Sequence, residues 1–247
     1  MIVGDLLERH RDRPDAGSGT LVVIPVRGGS KGVPRKNLRD VGGKPLVVWT
    51  IEQALEVPGE VRVVVSTDDP EIAEVARRAG AEVPFLRPAE LAQDTTATEP
   101  VVAHAIEWLA SEGYHPFGVM LLQATSPIRL PGTVARAVSR FEVGDIDSLV
   151  GVVPQTPFLW HLTDPPTAEY DVDRRPRRQE LDDRSYLYRE TGSLYVTRTE
   201  RYTTHGNRIG GRVELFVMDE LEGIDIDSEA DLFLADQTVR RLTEVTS

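Results

Sequence analysis

The sequence contains no cysteine. Disulfide frameworks and thiolate chemistry are therefore excluded. The absence of thiols suits a reducing compartment, and we expect the protein to be cytoplasmic. Histidine is scarce too, and the five histidines do not show the spacing of metal ligands.

Long hydrophobic runs are also absent. The first twenty residues carry several charges and no apolar core of signal-peptide length, and no later segment is long enough to span a membrane. We therefore expect no membrane partner. Residues 1–19 end in a Gly-Ser-Gly sequence and are predicted to form a flexible N-terminal extension, which leaves residues 20–247 as the folded domain.

Positive charge is in short supply. The 28 lysines and arginines are outnumbered by 40 aspartates and glutamates, which gives a formal net charge of -12. This balance argues against a general nucleic-acid binder, whose affinity depends on neutralising phosphates. With 247 residues and 40% hydrophobic content, the chain can bury one large core, so we expect a single domain.

One short segment is nevertheless basic. Residues 24–38 follow an apolar run and combine three glycines with four cations. The glycines are Gly28, Gly29 and Gly32, and the cations are Arg27, Lys31, Arg35 and Lys36. Glycine permits a tight turn that brings N–H groups close to an anion, and the cations would repel one another without one. The segment predicts a polyphosphate-binding loop, and a solvated basic turn is the alternative.

The glycine spacing of this basic loop differs from that of two familiar phosphate loops. A Walker A loop has four residues between its glycines and then Gly-Lys-Ser/Thr, and a dinucleotide loop has Gly-x-Gly-x-x-Gly. Neither pattern occurs here. A phosphate-loop kinase, which would form ADP from ATP, is therefore disfavoured.

Strand and helix patterns alternate along the chain. Apolar runs predict strands over residues 21–26, 61–66, 82–86, 119–123, 148–153, 192–197 and 212–218. Helical periodicity is found over residues 45–56, 70–79, 97–111, 131–141 and 228–242. This series predicts an α/β fold with an open, largely parallel sheet, helices on both faces, and ligands outside the carboxyl ends of the strands. Residues 154–191 break the alternation and form an inserted excursion.

Two aspartates near the C-terminal end are candidate metal ligands. Asp225 and Asp227 alternate with isoleucines, so a strand would place both carboxylates on one face. Carboxylate pairs suit Mg²⁺ bound to nucleotide phosphates. An exposed strand end or a cap before the last helix is the alternative interpretation.

Polar side chains follow two of the predicted strands. Gln123 ends the run of residues 119–123, and Thr125 and Ser126 follow it, where a ligand crevice is expected. Arg87 and Asp94 follow residues 82–86. Ordinary turns and a helix cap would use the same residue types, so both interpretations stay open.

Arginines in the excursion are candidate anion ligands. Arg177 and Arg178 stand in a segment that could cover the site, and the guanidinium group is suited to bidentate capture of a carboxylate or phosphate. A charged surface loop is the default interpretation for the other arginines there, Arg174 and Arg175.

Several of these segments together resemble one protein family. Residues 25–38, 66–68, 87–95, 121–129, 177–179, 192–195 and 224–227 are similar, in this order, to motifs of the N-acylneuraminate cytidylyltransferase (CMP-sialic acid synthetase) family. The likeness runs from about residue 20 to the end. It implies a nucleotide-diphospho-sugar transferase-like, Rossmann-like fold and the transfer of CMP from CTP to an acidic acceptor, a sialic acid or related nonulosonic acid, with release of pyrophosphate.

The resemblance also implies roles for individual residues. Catalytic roles fall to Arg27, Lys31, Asp225 and Asp227, of which the two aspartates would bind Mg²⁺. Nucleotide binding falls to Arg27, Gly28, Gly29, Ser30, Lys31, Lys36, Asn37, Arg87 and Asp94. Acceptor binding falls to Gln123, Thr125, Ser126, Arg177 and Arg178. Family members are usually homodimers in which the excursion reaches onto the partner subunit.

Three departures from the family pattern bear on the acceptor. A basic residue is missing near Trp160, Thr191 replaces an asparagine, and Ala124 replaces a common proline. Similar enzymes of natural-product pathways cytidylylate small phosphonates such as phosphonoformate, which is the alternative acceptor. A catalytically silent nucleotide-binding protein is a further alternative, although the presence of the cations and both aspartates disfavours it.

Overall fold

A computed structural model of the protein describes residues 19–30, 32–182 and 185–246. Apart from Gly19, the predicted N-terminal extension lies outside the described residues, as does Lys31 of the basic loop. Within these ranges no helix is both long enough and apolar enough to cross a membrane.

The described residues contain a main sheet of six strands. Their bounds are β1 Thr20–Pro25, β2 Val61–Ser66, β3 Gly118–Leu122, β4 Ser148–Gln155, β5 Leu187–Arg198 and β6 Val213–Val217. The spatial order is β6-β4-β5-β3-β1-β2. Strand β5 runs antiparallel to β3 and β4, whereas the other adjacent pairs are parallel. The predicted open, largely parallel sheet is confirmed.

Helices cover both faces of this sheet. Their bounds are α1 Leu46–Leu55, α2 Pro70–Arg78, α3 Thr98–Ser111, α4 Thr133–Val143, α5 Thr199–His205 and α6 Glu229–Thr246. Alternation along β1 sends Val22 and Ile24 into a core with α1, α2 and α4. Leu21 and Val23 enter the opposite core with α3 and α5. Both faces of β1 are therefore buried, as its continuous apolar run predicts.

The connections contain short elements. Four 3-10 turns of the described chain span Lys36–Leu38, Ala89–Leu91, Arg178–Glu180 and Glu220–Gly223. Two short hairpins pair Asp40–Val41 with Lys44–Pro45 and Trp160–His161 with Thr167–Ala168. Helix α6 forms a third apolar cluster, in which its Leu232 and Val239 join Val33 and Ile226. This cluster brings the C-terminal helix to the basic loop.

Two strand predictions were wrong. Residues 82–86 form no strand and contribute only an isolated bridge between Val64 and Glu82, because Pro84 lacks the N–H that would continue a ladder. Residues 224–227 form an irregular segment that follows a 3-10 turn. Their alternation nevertheless persists, since Ile226 is buried and Asp227 is exposed.

The excursion of residues 154–191 returns directly into the sheet. Strand β5 begins at Leu187, earlier than the predicted residue 192. The added length pairs with the end of β4, from Val152 opposite Glu190 to Gln155 opposite Leu187. The second short hairpin and the turn at Arg178–Glu180 lie between the two strands along the chain.

Candidate active site

A pocket of about 310 Å³ opens at the carboxyl ends of the adjacent strands β1 and β3. This is the position at which open α/β sheets bind ligands. Among the predicted site residues, its wall contains Arg27, Gly29, Ser30, Lys36, Asn37, Arg87, Asp94, Gln123 and Thr125. The fold thus gathers segments that are far apart in the sequence around one cavity.

The first turn of the basic loop is held by hydrogen bonds from both sides. The Arg27 guanidinium donates to Asp94 Oδ1 at 2.6 Å, and both side chains are partly exposed at the pocket. The Asn37 amide donates to the Arg27 carbonyl at 3.1 Å. The Gly28 N–H donates to Asp68 Oδ1 at 3.1 Å, so the loop is anchored to the segment that follows β2.

The basic loop also meets the aspartate segment, residues 224–227. Lys36 is 8% exposed, and its ammonium donates to the Ile226 carbonyl and lies 3.4 Å from Asp227 Oδ1. A Cβ atom placed on Gly32 would lie 2.1 Å from the Asp227 carbonyl oxygen. Only glycine permits this approach of two backbones. The two features from opposite ends of the sequence therefore adjoin in the fold.

The turn after β3 links the aspartate segment to the pocket wall. Ser126 Oγ donates to Asp225 Oδ1 at 3.1 Å, and the Ile226 N–H donates to the Thr125 carbonyl at 2.9 Å. Gln123 and Thr125 line the pocket, whereas Ser126 is buried behind it. The hydroxyl of Ser126 is thus used to hold a carboxylate.

Arg87 lies at the pocket but is largely engaged with the backbone. Its Nε donates to Ser66 Oγ at 3.1 Å, and its Nη2 donates to the Val26 carbonyl at 2.9 Å and to the Ser66 carbonyl. Burial lowers the pKa of its guanidinium to about 10, against the opposing effect of Asp68. Arg87 therefore ties the ends of β1 and β2 together beside the cavity.

The cations of the basic loop are paired with carboxylates. Besides the contacts of Arg27 and Lys36, the Arg35 guanidinium lies 3.3 Å from Asp69 and 2.7 Å from Glu71, at the start of α2. We expected these cations to repel one another without a bound anion. That expectation was wrong for the cations that the structure describes, because each is paired with a carboxylate. Neighbouring acidic side chains already offset their charge in the ligand-free fold.

The structure does not bring Arg177 and Arg178 into the pocket. Arg178 lines a second cavity of about 340 Å³, beside Gln155 at the end of β4 and Arg189 at the start of β5. The Arg177 side chain is 82% exposed and lies 3.7 Å from Glu180. The cavity lined by Arg178 is at the same end of the sheet as the pocket but across strand β5 from it.

Comparison with known proteins gives the chain a family. A family model described as cytidylyltransferase matches residues 21–157, more than half of the chain. The chain is 31% identical over 230 residues to the pseudaminic acid cytidylyltransferase of Campylobacter jejuni. The alignment covers 87% of this chain and 94% of that protein.

The chain belongs to the CMP-sialic acid synthetase family of cytidylyltransferases.

Two other relatives agree with this assignment. The cytidylyltransferase is 32% identical over 223 residues to the CMP-N,N'-diacetyllegionaminic acid synthase of Legionella pneumophila, with 88% of this chain and 94% of the relative covered. It is 30% identical over 225 residues to N-acylneuraminate cytidylyltransferase B of Danio rerio, with 89% and 51% covered. The predictions of the family and of a nucleotidyltransferase are confirmed.

Solved structures support the fold of the cytidylyltransferase. The CMP:2-keto-3-deoxy-manno-octonic acid synthetase, solved with CTP, superimposes with a TM-score of 0.65 at 18% identity and covers 93% of this chain and 100% of its own. The 4-diphosphocytidyl-2C-methyl-D-erythritol synthase of Anaerococcus prevotii gives a TM-score of 0.64 at 11% identity, with 90% and 96% covered. The predicted nucleotide-sugar transferase-like fold is confirmed.

Some residues that organise the site carried no assigned role in the sequence. Asp68 anchors Gly28, and the buried Glu222 accepts from the Leu130 N–H at 2.8 Å. Arg129 lies within residues 121–129, and Asp68 lies within residues 66–68, so both belong to segments that resemble the family. Asp68 is 40 positions from Gly28 along the chain, and Glu222 is 92 positions from Leu130, so local patterns do not show such roles.

Proposed function

We propose that this cytidylyltransferase transfers CMP from CTP to a nonulosonic acid and releases pyrophosphate. The main support is the junction at Lys36, a pocket-lining residue of the basic loop that contacts the Ile226 carbonyl and Asp227 of the aspartate segment. Relatives that align over 87% and 88% of the chain are named for pseudaminic acid and N,N'-diacetyllegionaminic acid, which are both nonulosonic acids.

In this proposal the basic loop holds the triphosphate. Arg27 and Lys36 supply positive charge, and Asn37, Arg87 and Asp94 lie where the nucleoside would bind. The predicted triphosphate contact of Lys31 stays a prediction. The acceptor hydroxyl attacks the α-phosphorus in line, the bond to the pyrophosphate oxygen breaks, and the hydroxyl proton is lost to solvent. Alignment and charge neutralisation supply most of the rate, because no covalent nucleophile is needed.

Asp225 and Asp227 are the carboxylates that we propose as magnesium ligands. Mg²⁺ bound to nucleotide phosphates often keeps several waters and takes one or two protein carboxylates, so a pair suffices. The described residues contain no group of three or more histidines, cysteines and acidic residues suited to a metal. When bound, Mg²⁺ would neutralise charge on the phosphates. The chain's own part is to present both carboxylates beside Lys36 and Ser126.

Acceptor binding is proposed for the pocket side formed by the turn after β3. Gln123 and Thr125 line the cavity there, and the Ser126 N–H donates to the Gln123 carbonyl at 3.2 Å. Arg177 and Arg178 remain candidates for the acceptor's carboxylate at the neighbouring cavity. The single cytidylyltransferase domain of residues 20–247, with its excursion of residues 154–191, is part of the same proposal.

A homodimer is proposed as the assembled form. The excursion exposes several apolar side chains, namely Leu159, Trp160, Leu162 and Val172. Exposed apolar patches of this kind commonly mark protein contacts. The excursion starts and ends at the sheet edge that carries both cavities, so a partner covering it would approach the site.

The proposal is tested by incubating the protein with CTP, Mg²⁺ and a panel of acids. The panel contains pseudaminic acid, legionaminic acid, N-acetylneuraminic acid and phosphonoformate, and the readouts are pyrophosphate release and the mass of the CMP conjugate. We expect a conjugate with a nonulosonic acid. A conjugate with phosphonoformate alone would overturn the acceptor class, and CTP binding without pyrophosphate release for every acid would overturn the catalytic proposal.

A further inference from the structure

Arg129 lies buried beneath the turn that follows β3. The residue is 6% exposed, and one end of its guanidinium donates to Thr50 Oγ1 at 3.1 Å and Gln53 Oε1 at 2.9 Å, both on α1. The other end donates to the carbonyls of Gln123 at 3.0 Å and Ser193 at 2.8 Å. One side chain therefore joins α1, the end of β3 and strand β5.

The two carbonyls lie just beyond the last backbone pair of β3 and β5. The ladder between these strands ends at Leu122 opposite Leu194, and the Gln123 N–H then donates to the Ser193 carbonyl at 3.1 Å. Beyond this point the strands have no further paired residues in their ladder. Arg129 holds the strand ends together where regular pairing stops.

Strand β5 is irregular at the same place. The pairing of β4 with β5 shifts between Val150 and Val152, and Gly192 adopts a φ of +73°. A Cβ atom on Gly192 would lie 3.3 Å from Gln123 Oε1, so the Gln123 side chain packs against this bulge. Bulges beside active sites commonly redirect a side chain. The Gln123 amide thus lies against Gly192, the residue next to Ser193, whose carbonyl Arg129 binds.

The turn held by Arg129 also carries the aspartate segment. The Ser126 N–H donates to the Gln123 carbonyl at 3.2 Å, while the Ser126 hydroxyl holds Asp225 at 3.1 Å. A shift of the Gln123 carbonyl would therefore reach a proposed acceptor ligand and a proposed metal ligand together.

Packing alone does not account for a guanidinium at this position. Its four acceptors are neutral oxygens, and burial lowers the Arg129 pKa to about 9, partly opposed by Glu222 and Asp225. The group therefore keeps its charge at neutral pH. Burying a charge costs free energy that an apolar side chain of similar volume would not cost. The role of Arg129 must therefore come from the arrangement of its hydrogen bonds.

We propose that Arg129 is a positioning residue that aligns the acceptor with the nucleotide by clamping the carbonyls of Gln123 and Ser193. The inference rests on the proposed function, because the acceptor side of the pocket is assigned there. Arg129 itself touches no reacting atom. Its planar fork, rather than its charge alone, is required, because Nη2 binds both carbonyls while Nη1 binds Thr50 and Gln53 on α1.

The test compares Arg129→Lys and Arg129→Met with a matched buried arginine. Arg198 is 8% exposed, lies at the amino end of β3 opposite Gly118, and donates to the Ile146 carbonyl at 2.9 Å. Arg198→Met therefore removes a buried guanidinium at the opposite end of the strand. The measurements are separate KM values for CTP and acceptor, kcat, and deuterium exchange of peptides covering residues 123–130.

We expect both Arg129 variants to lose kcat/KM for the acceptor on the order of 100-fold, as misalignment near a reacting group does, while the KM for CTP stays near its original value. Exchange over residues 123–130 should rise in these variants and not in Arg198→Met. Wild-type kinetics for Arg129→Lys, or equal effects on both substrates, would overturn the inference. If the Arg129 variants fail to fold, Gln53→Ala removes one partner and should show the same split in milder form; an unchanged acceptor KM and kcat would then overturn it.

The exchange measurement separates the two proposals. The exchange measurement needs no turnover. Suppose that exchange is faster in Arg129→Met but the unaltered protein releases no pyrophosphate. The proposed function would then be rejected, while the clamp would stand as a structural feature. Turnover with unchanged exchange and unchanged acceptor kinetics would reject the clamp alone.

Discussion

Arg27 is held at the pocket by an ion pair that a nucleotide can replace. Its contact with Asp94 is short, but the two side chains are 31% and 44% exposed. Ion pairs at such partly exposed positions contribute on the order of 1 kcal/mol or less to stability. A triphosphate carries several negative charges, so exchange of one carboxylate for phosphate oxygens is favourable for the guanidinium.

Arg27→Ala should lower turnover without unfolding the protein. A charge-assisted contact of roughly 1.5 to 3 kcal/mol corresponds to a loss of one to two orders of magnitude in kcat/KM for CTP. Steady-state kinetics and a thermal melt measure both properties. Arg35→Ala is the control, because Arg35 pairs with Asp69 and Glu71 and does not line the pocket. Equal losses in the two variants would mean that general loop charge, and not Arg27, is responsible.

Gly32→Ala should separate the basic loop from the aspartate segment. The added methyl carbon would lie 2.1 Å from the Asp227 carbonyl oxygen, and backbone must move to relieve that contact. We expect a lower Tm and reduced CTP-dependent activity. Gly29→Ala meets nothing within 4 Å and should leave the Tm unchanged, so equal melting of the two variants would contradict this account.

Among the elements, the aspartate segment is held in place without being a strand of the sheet. Its alternating pattern still buries Ile226 in the cluster under α6 and leaves Asp227 exposed. Two contacts replace the ladder of a sheet, the bond of Ile226 to Thr125 and that of Lys36 to the Ile226 carbonyl. An irregular backbone held in this way places Asp227 beside Lys36 of the basic loop.

The double substitution Asp225→Asn with Asp227→Asn should abolish magnesium-dependent activity. Asparagine can still accept the Ser126 hydrogen bond to residue 225, so the fold is expected to persist while the charge that attracts the cation is removed. A magnesium titration of pyrophosphate release measures the effect. Glu229→Gln is the control, because Glu229 at the start of α6 pairs with Arg39 and does not line the pocket. Full activity of the double variant would place the metal elsewhere.

At the scale of the whole molecule, both cavities lie at the end of the sheet where the parallel strands terminate. Strands β1 and β3 end at the pocket, β4 ends at the second cavity, and β5 starts between them. Because β5 runs in the opposite direction to its neighbours, its first residues lie at their carboxyl ends. The excursion therefore begins and ends at the end of the sheet that carries the two cavities. This position suits a segment that covers the site or contacts a partner.

The proposed dimer should depend on the exposed apolar residues of the excursion. Leu162 is fully exposed, at 101%, and Trp160 is 56% exposed beside it. We expect sedimentation velocity to give a dimer for the unaltered protein and a monomer for Leu162→Asp, because a charge in an apolar contact must be desolvated. Phe233→Asp, at a 69% exposed position on α6, should stay dimeric. A monomeric parent protein would reject the dimer.

Local pattern accounts for much of the fold. The buried runs at β1, β2 and β3 and the helical periods of α1 to α4 depend on neighbours within a few residues, so they can be read in order along the chain. The same holds for the glycine loop and the aspartate pair as separate motifs. The strand prediction for residues 82–86 failed because an apolar run that contains Pro84 resembles a strand in hydropathy but lacks a backbone donor.

Residue order alone was sufficient for the α/β class, the basic loop and the family likeness, because each is carried by short-range composition and spacing. Tertiary packing decided that β5 inserts in reverse between β3 and β4, that Lys36 reaches Ile226, and that Arg129 clamps two strand ends. Such contacts join residues 6 to 190 positions apart and exist only once the two cores and the α6 cluster are packed. Hydrophobic burial on both faces of the sheet supplies that constraint, and it has no signature in any single segment.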